Sequence, residues 1–130
     1  MTDETRSNVR DARAPAPRIL VLDDEPMILL ELQMALEDEG AQPLDARTVD
    51  EAMALIDESA PEAAILDVNL GGGQTCAPIA KRLHELGVPF LLHTGDLARQ
   101  GELVITLGAE IVPKPTAGHV VAARAIDLVK

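Results

Sequence analysis

Apolar residues fall in two kinds of pattern that alternate along the chain. Ile19-Leu20-Val21-Leu22 is an unbroken apolar run, the pattern of a parallel strand covered on both faces. It gives way to Asp23-Asp24-Glu25-Pro26, after which Ile28, Leu29, Leu32, Ala35 and Leu36 share one helical stripe. Pro26 suits the first turn of that helix, the acids beside it suit a cap and the helix dipole, and Gly40 stops it. The unit then repeats. Ala41 to Ala46 predicts a weak second strand, and Thr48 caps a helix containing Ala52, Leu55 and Ile56. Pro61 separates that helix from the strand Ala63-Ala64-Ile65-Leu66, which runs into Asp67. Gly71-Gly72-Gly73 makes a loop before a helix with Ile79, Ala80, Leu83 and Leu86, and Gly87 ends it. Pro89-Phe90-Leu91-Leu92 is a fourth strand, and the less regular segment Leu97 to Leu107 has room for a short helix. Ile111-Val112 is a short fifth strand, and Val120 to Val129 a final helix. Strand-like runs alternating with helices predict an α/β sandwich on a parallel sheet with right-handed crossovers.

The length, 130 residues, points to one folded domain, residues 18–130, behind a flexible extension over residues 1–17. That extension carries three acids and three bases, so the whole net charge of −11 belongs to residues 18–130. Such a surface repels phosphate backbones, which excludes nucleic acid as a natural partner. Phe90 is the only aromatic residue, so stacking on bases or sugars is excluded as a main activity. Cys76 is the single cysteine, which rules out an internal disulfide and suits a reducing cytoplasm. No apolar run is long enough to span a bilayer, so no membrane association is expected.

The charged and hydroxyl groups sit where strands stop. Asp23 and Asp24 follow the first strand, Asp67 the third, Thr94 the fourth and Lys114 the fifth. In a parallel sheet those carboxyl ends form one edge, where sites gather. Three carboxylates so close repel, and at least one pKa rises unless a cation intervenes. Mg²⁺ is the expected cation, because it takes oxygen ligands. Lys114 balances a further anion and Thr94 offers a hydroxyl donor. These are the parts of phosphoryl transfer: a carboxylate nucleophile, a metal and fixed donors for developing charge.

The motifs Leu22-Asp23-Asp24-Glu25, Ile65-Leu66-Asp67-Val68-Asn69, His93-Thr94-Gly95 and Val112-Pro113-Lys114-Pro115 occur in that order. Together they make residues 18–130 resemble the receiver domain of bacterial two-component response regulators. The resemblance implies a flavodoxin-like, doubly wound, five-stranded parallel sheet in the order 2-1-3-4-5 with helices on both faces. It implies that Asp67 accepts a phosphoryl group from a phosphohistidine on a sensor histidine kinase or histidine phosphotransfer protein. Asp24 and Asp67 would bind Mg²⁺ through their side chains, Asn69 through its backbone carbonyl, and Asp23 through a water. Thr94 and Lys114 would each hold a phosphoryl oxygen, while Asn69 and Asp96 would influence how fast the acyl phosphate hydrolyses. Ile111 stands where many receivers have an aromatic switch, and Gly71 where they have proline. Both departures, with Pro89-Phe90-Leu91-Leu92-His93-Thr94-Gly95, resemble a subfamily of small receivers with a Phe-Ala-Thr-Gly motif; here Leu92-His93 replaces its Phe-Ala.

A stand-alone phosphoacceptor is therefore expected, one that catalyses only its own phosphorylation and dephosphorylation. With only residues 116–130 after Lys114-Pro115, output is expected through protein–protein contact, phosphoryl shuttling or service as a phosphate sink. The alternatives are a Mg²⁺-dependent phosphohydrolase with an aspartate nucleophile, and a receiver that binds partners without phosphorylation. Between Ile19 and Ala46 there are eight acids and no Lys or Arg, a candidate face for a basic phosphodonor. On the final helix Val121, Ala125 and Leu128 form one apolar stripe and Val120, Ala123 and Ile126 a second. Leu103, Val104 and Leu107 can bury the second stripe; otherwise it marks a downstream-target or homodimer surface. Phosphorylation is expected to act by rearranging Thr94 to Leu107 over it. Cys76, Met27, Met34 and Met53 read as packing or surface residues. His93, next to Thr94 on a strand, is expected to face away from the site.

Overall fold

The structure, a computed structural model, describes residues 15–95 and 108–130. The expected extension up to residue 14, Asp96 and the segment from Leu97 to Leu107 lie outside the described residues. Within them, five strands and four helices alternate: β1 (Arg18–Leu22), α1 (Pro26–Asp38), β2 (Gln42–Ala46), α2 (Val49–Ser59), β3 (Ala63–Leu66), α3 (Ala77–Glu85), β4 (Phe90–Thr94), β5 (Glu110–Pro113) and α4 (Gly118–Val129). All pairings are parallel, and the strand order is β2-β1-β3-β4-β5. This is the doubly wound, flavodoxin-like sheet that the motifs imply.

The unbroken apolar runs become the central strands because both of their faces are covered. Leu20, Leu22, Ala64, Leu66 and Leu92 pack against α2 and α3, through Ala52, Ile56, Ile79 and Leu83. Ile19, Val21, Ala63, Ile65 and Leu91 point the other way, against α1 and α4. The backbone is tied in just before β1, where the Pro17 carbonyl accepts from the Gln42 N–H at 2.8 Å.

Local signals account for several boundaries. Thr48 is the N-cap of α2, its Oγ1 accepting from the Glu51 N–H at 3.1 Å. Thr48→Ala is expected to cost about 1 kcal/mol, read as a lower urea midpoint with an unchanged slope. At α1 the acids act differently from the expected cap. Glu25 occupies the N-cap position without a side-chain bond to the helix, and Asp23 Oδ1 accepts the Glu25 N–H at 2.9 Å.

The second stripe expected on the final helix does not exist as drawn. Ile126 is buried with Val121, Ala122 and Ala125, leaving Val120 and Ala123 exposed. Positions i, i+1, i+4 and i+5 make one broad inward face, because α4 sits in the angle between the sheet and α1. The two helices are also joined by polar contact. Glu31 Oε2 of α1 accepts from the Gly118 N–H at 2.8 Å, satisfying a donor in the first turn of α4. A Cβ at position 118 would lie 2.7 Å from Glu31 Cγ, so this approach needs glycine.

Candidate functional site

The turns after β1, β3, β4 and β5 converge at the carboxyl edge of the sheet. A cavity of about 440 Å³ there is lined by Asp24, Glu25, Asp67, Asn69, Thr94 and Lys114. A cleft of similar size, about 490 Å³, lies beside Thr48, Asp50 and Pro78, where Asp50 is the one ionisable lining group. Of these two, among the described residues, the first is the one that gathers carboxylates, a hydroxyl and an ammonium.

Lys114 follows β5, whose last pairing sets Thr94 against Pro113, and the Lys114 N–H donates to the Thr94 carbonyl at 3.0 Å. Its side chain therefore reaches back over the ends of β4, β3 and β1. Nζ lies 3.1 Å from Asp23 Oδ2, 3.1 Å from Glu25 Oε1 and 3.4 Å from Asp67 Oδ2. The Glu25 contact is a hydrogen bond; the Asp23 contact is an ion pair without hydrogen-bond alignment. The Lys114–Pro115 peptide is cis.

Asp23 and Asp67 are buried, Asp67 because its N–H continues the ladder by donating to the Leu22 carbonyl at 2.8 Å. Burial, then the charge of Asp23, pushes the Asp67 carboxyl up to about 7, against the pull of Lys114. Burial likewise raises Asp23, partly offset by the Glu25 N–H and Lys114. Burial works against the Lys114 ammonium, but Asp67, Asp23 and Glu25 outweigh it and leave its pKa raised. One ammonium is thus too little positive charge for the carboxylates around it.

The structure brings Asp23, Asp67, Thr94 and Lys114 together as the strand-end argument requires. Thr94 is buried at the site, whereas the neighbouring His93 is buried with neither ring nitrogen hydrogen-bonded to any of the described residues. His93 shares the sheet face of Leu91 beneath α1 and α4, as alternation along the strand requires. Asp24 lines the cavity beside Gly71, whose added Cβ would sit 3.5 Å from Asp24 Oδ2. Gly71 also has a φ of +81°, which glycine adopts without strain. Asn69 is exposed and its Oδ1 accepts from the Gly71 N–H at 3.0 Å, holding the turn in shape.

The residue that sequence reasoning missed is Glu25. Oxygen atoms of Asp23, Glu25 and Asp67 all lie within 4.8 Å of one another, a grouping that leaves out Asp24. The one available signal was a third acid in a row before a helix, which reads equally well as a cap. Cys76 has no such role. Its thiol is fully buried and is pushed up to about 12, first by burial and then by Asp67, so it is an inert packing group.

No protein-family model matches the sequence, and no curated protein matches it. Solved structures do. A CheY-like response regulator receiver domain from Methanospirillum hungatei JF-1 is 24% identical, with a TM-score of 0.76 over 88% of this chain and 94% of that one. The receiver domain of NtrX from Brucella abortus is 26% identical, with a TM-score of 0.74 over 85% and 97%. The non-phosphorylated receiver domain of HemR from Leptospira biflexa is also 26% identical, at 0.74 over 88% and 94%. The chain has the fold of a response regulator receiver domain.

Proposed function

We propose that the chain is a response regulator receiver that takes a phosphoryl group onto Asp67 from a phosphohistidine on a histidine kinase or phosphotransfer protein. The observation that carries this reading is the Asp67 carboxylate, buried at the end of β3 among Asp23, Glu25 and Lys114. In the reaction an Asp67 oxygen attacks phosphorus, the phosphorus–nitrogen bond breaks, and the donor's imidazole departs. The product is an acyl phosphate. Lys114 pairs with one phosphoryl oxygen and Thr94 donates to another.

The donors around the cavity fit Mg²⁺: they are hard oxygen atoms, and the carboxylates among them are crowded and short of positive charge. Asp24, Asp67 and the Asn69 carbonyl would hold it, with Asp23 acting through a water; it would neutralise the carboxylates and the phosphoryl oxygens. A hydrolase needs an acid or base just after its nucleophile, and here Val68 is buried and Asn69 is an amide. The chain would therefore catalyse only its own phosphorylation and dephosphorylation.

On α1 the exposed side chains Met27, Leu30 and Met34 fall at i, i+3 and i+7, beside the acids Glu31 and Asp38. That strip suits a donor helix with an apolar stripe and basic flanks. Among the described residues no helix is long and apolar enough to cross a membrane, and a cytoplasmic site of action fits this chemistry.

The deciding experiment is incubation with acetyl phosphate and Mg²⁺, followed by intact-mass measurement. The expected result is one phosphoryl group, stable in acid and labile in alkali, and none when the metal is chelated. Labelling that survives in Asp67→Asn rejects the assignment.

A further inference from the structure

Glu25 sits at the N-cap of α1 yet gives its side chain to none of that helix's N–H groups. Its carboxylate instead crosses from the β1–α1 turn to the β5–α4 turn and accepts a hydrogen bond from Lys114 Nζ at 3.1 Å. The geometry is held from both sides. Asp23 Oδ1 pins the Glu25 N–H at 2.9 Å, and Asp23 Oδ2 meets the same ammonium at 3.1 Å. Glu25 is 59% exposed at its side chain while Asp23 and Asp67 are almost wholly covered, so it is the outermost of the three carboxylates on Lys114. An anion that reaches Asp67 and needs Lys114 meets this pair first.

We propose that Glu25 is the resting partner of Lys114 and competes with the incoming phosphoryl group for it, holding the ammonium at the mouth of the site until a phosphoryl oxygen takes its place. This rests on the phosphoacceptor role of Asp67. Two effects of opposite sign follow. The Glu25 charge adds to the negative field that attracts a divalent cation. It also competes with, and repels, the phosphoryl anion. Removing it should weaken metal binding and speed transfer. An exposed pair that merely ties two turns together would do neither. Because Glu25 is largely exposed, water and salt screen both effects, which sets them at severalfold.

The test compares wild type with Glu25→Gln and Glu25→Ala, after circular dichroism shows that each is folded. Mg²⁺ affinity is read from amide chemical shifts during titration with the metal alone. Transfer is read as the initial rate of labelling by acetyl phosphate at saturating Mg²⁺. Both variants are expected to bind Mg²⁺ on the order of fivefold more weakly and to be labelled on the order of fivefold faster, with both differences shrinking at high salt. A labelled wild type whose Glu25 variants match it in both readouts, or are labelled more slowly, overturns the proposal alone. A wild type that takes no phosphoryl group overturns the phosphoacceptor reading and this proposal with it.

Discussion

Replacing Asp67 by Asn is expected to abolish labelling by acetyl phosphate and, without metal, to make the protein more stable. The first effect follows from the loss of the nucleophilic oxygen. The second follows from the cluster, where the charged form of Asp67 is disfavoured by burial and by Asp23. Its pKa rises from 3.8 to about 7, so the native state holds the proton more tightly than the unfolded chain does. Stability tied to this group is complete below about pH 4 and is lost as pH rises through about 7. At pH 8 the neutral amide should therefore recover on the order of 2–4 kcal/mol. His93 pulls the other way. Burial, then Lys114, lowers it from 6.5 to about 4, so its stability is present above pH 6.5 and lost as pH falls through about 4. In wild type the two groups oppose each other across pH 4–7, although Asp23, also raised by burial, adds to the Asp67 side. Asp67→Asn should rise in stability steeply from pH 4 to 6.5, whereas His93→Leu should decline from pH 4 to 7. Urea midpoints at a series of pH values in the presence of a chelator make the comparison. Parallel profiles for the two variants, or no gain for Asp67→Asn at pH 8, would show that the cluster is not repulsive.

Lys114→Met keeps the aliphatic stem and removes the ammonium, with the opposite result. Asp23 and Asp67 then lose the cation that each touches, at 3.1 and 3.4 Å. Stripping one partner from buried charges leaves the others uncompensated, typically a loss of about 3–5 kcal/mol. Glu25, mostly exposed, adds nothing to that figure. The loss should be largest at pH 8 without metal. It should shrink toward pH 5, where Asp67 takes up a proton, and shrink again when Mg²⁺ is added at pH 8. A loss that is the same at both pH values and indifferent to Mg²⁺ would mean that Lys114 supports the fold through packing rather than charge.

The strands were legible because burial on both faces leaves a mark that needs no partner to interpret. Ile19 to Leu22 and Ala63 to Leu66 read as apolar runs and are almost wholly buried. The polar groups at the strand ends were legible only as a set: each alone reads as a cap, a turn or a loop residue, but caps and turns do not explain why four strands end in one at the same edge of the sheet. The strand order was not in the periodicity at all; it entered with the resemblance to receivers. Ile126 was misplaced because a helical stripe shows phase but not the width of the surface that meets it. Glu25 was missed because its partner lies 89 positions away, and the nearer explanation, a helix cap, used the same residue type. The three receivers compared above share this fold at only 24–26% identity, which is what a fold specified by the pattern of buried and polar positions permits.

The hydrogen bond from Gly118 to Glu31 limits how α1 can be rewritten. A lineage or an engineer redirecting this helix to a new donor can draw on Met27, Leu30 and Met34, which stand out in solvent. Glu31 stands among them on the same face, yet it supports the first turn of a second helix that passes beside the site. Changing it for the sake of a partner uncaps α4, and position 118 has no side chain with which to compensate. If α1 is the donor-facing helix proposed above, changes of partner that keep Glu31 leave the start of α4 intact, and those that replace it do not.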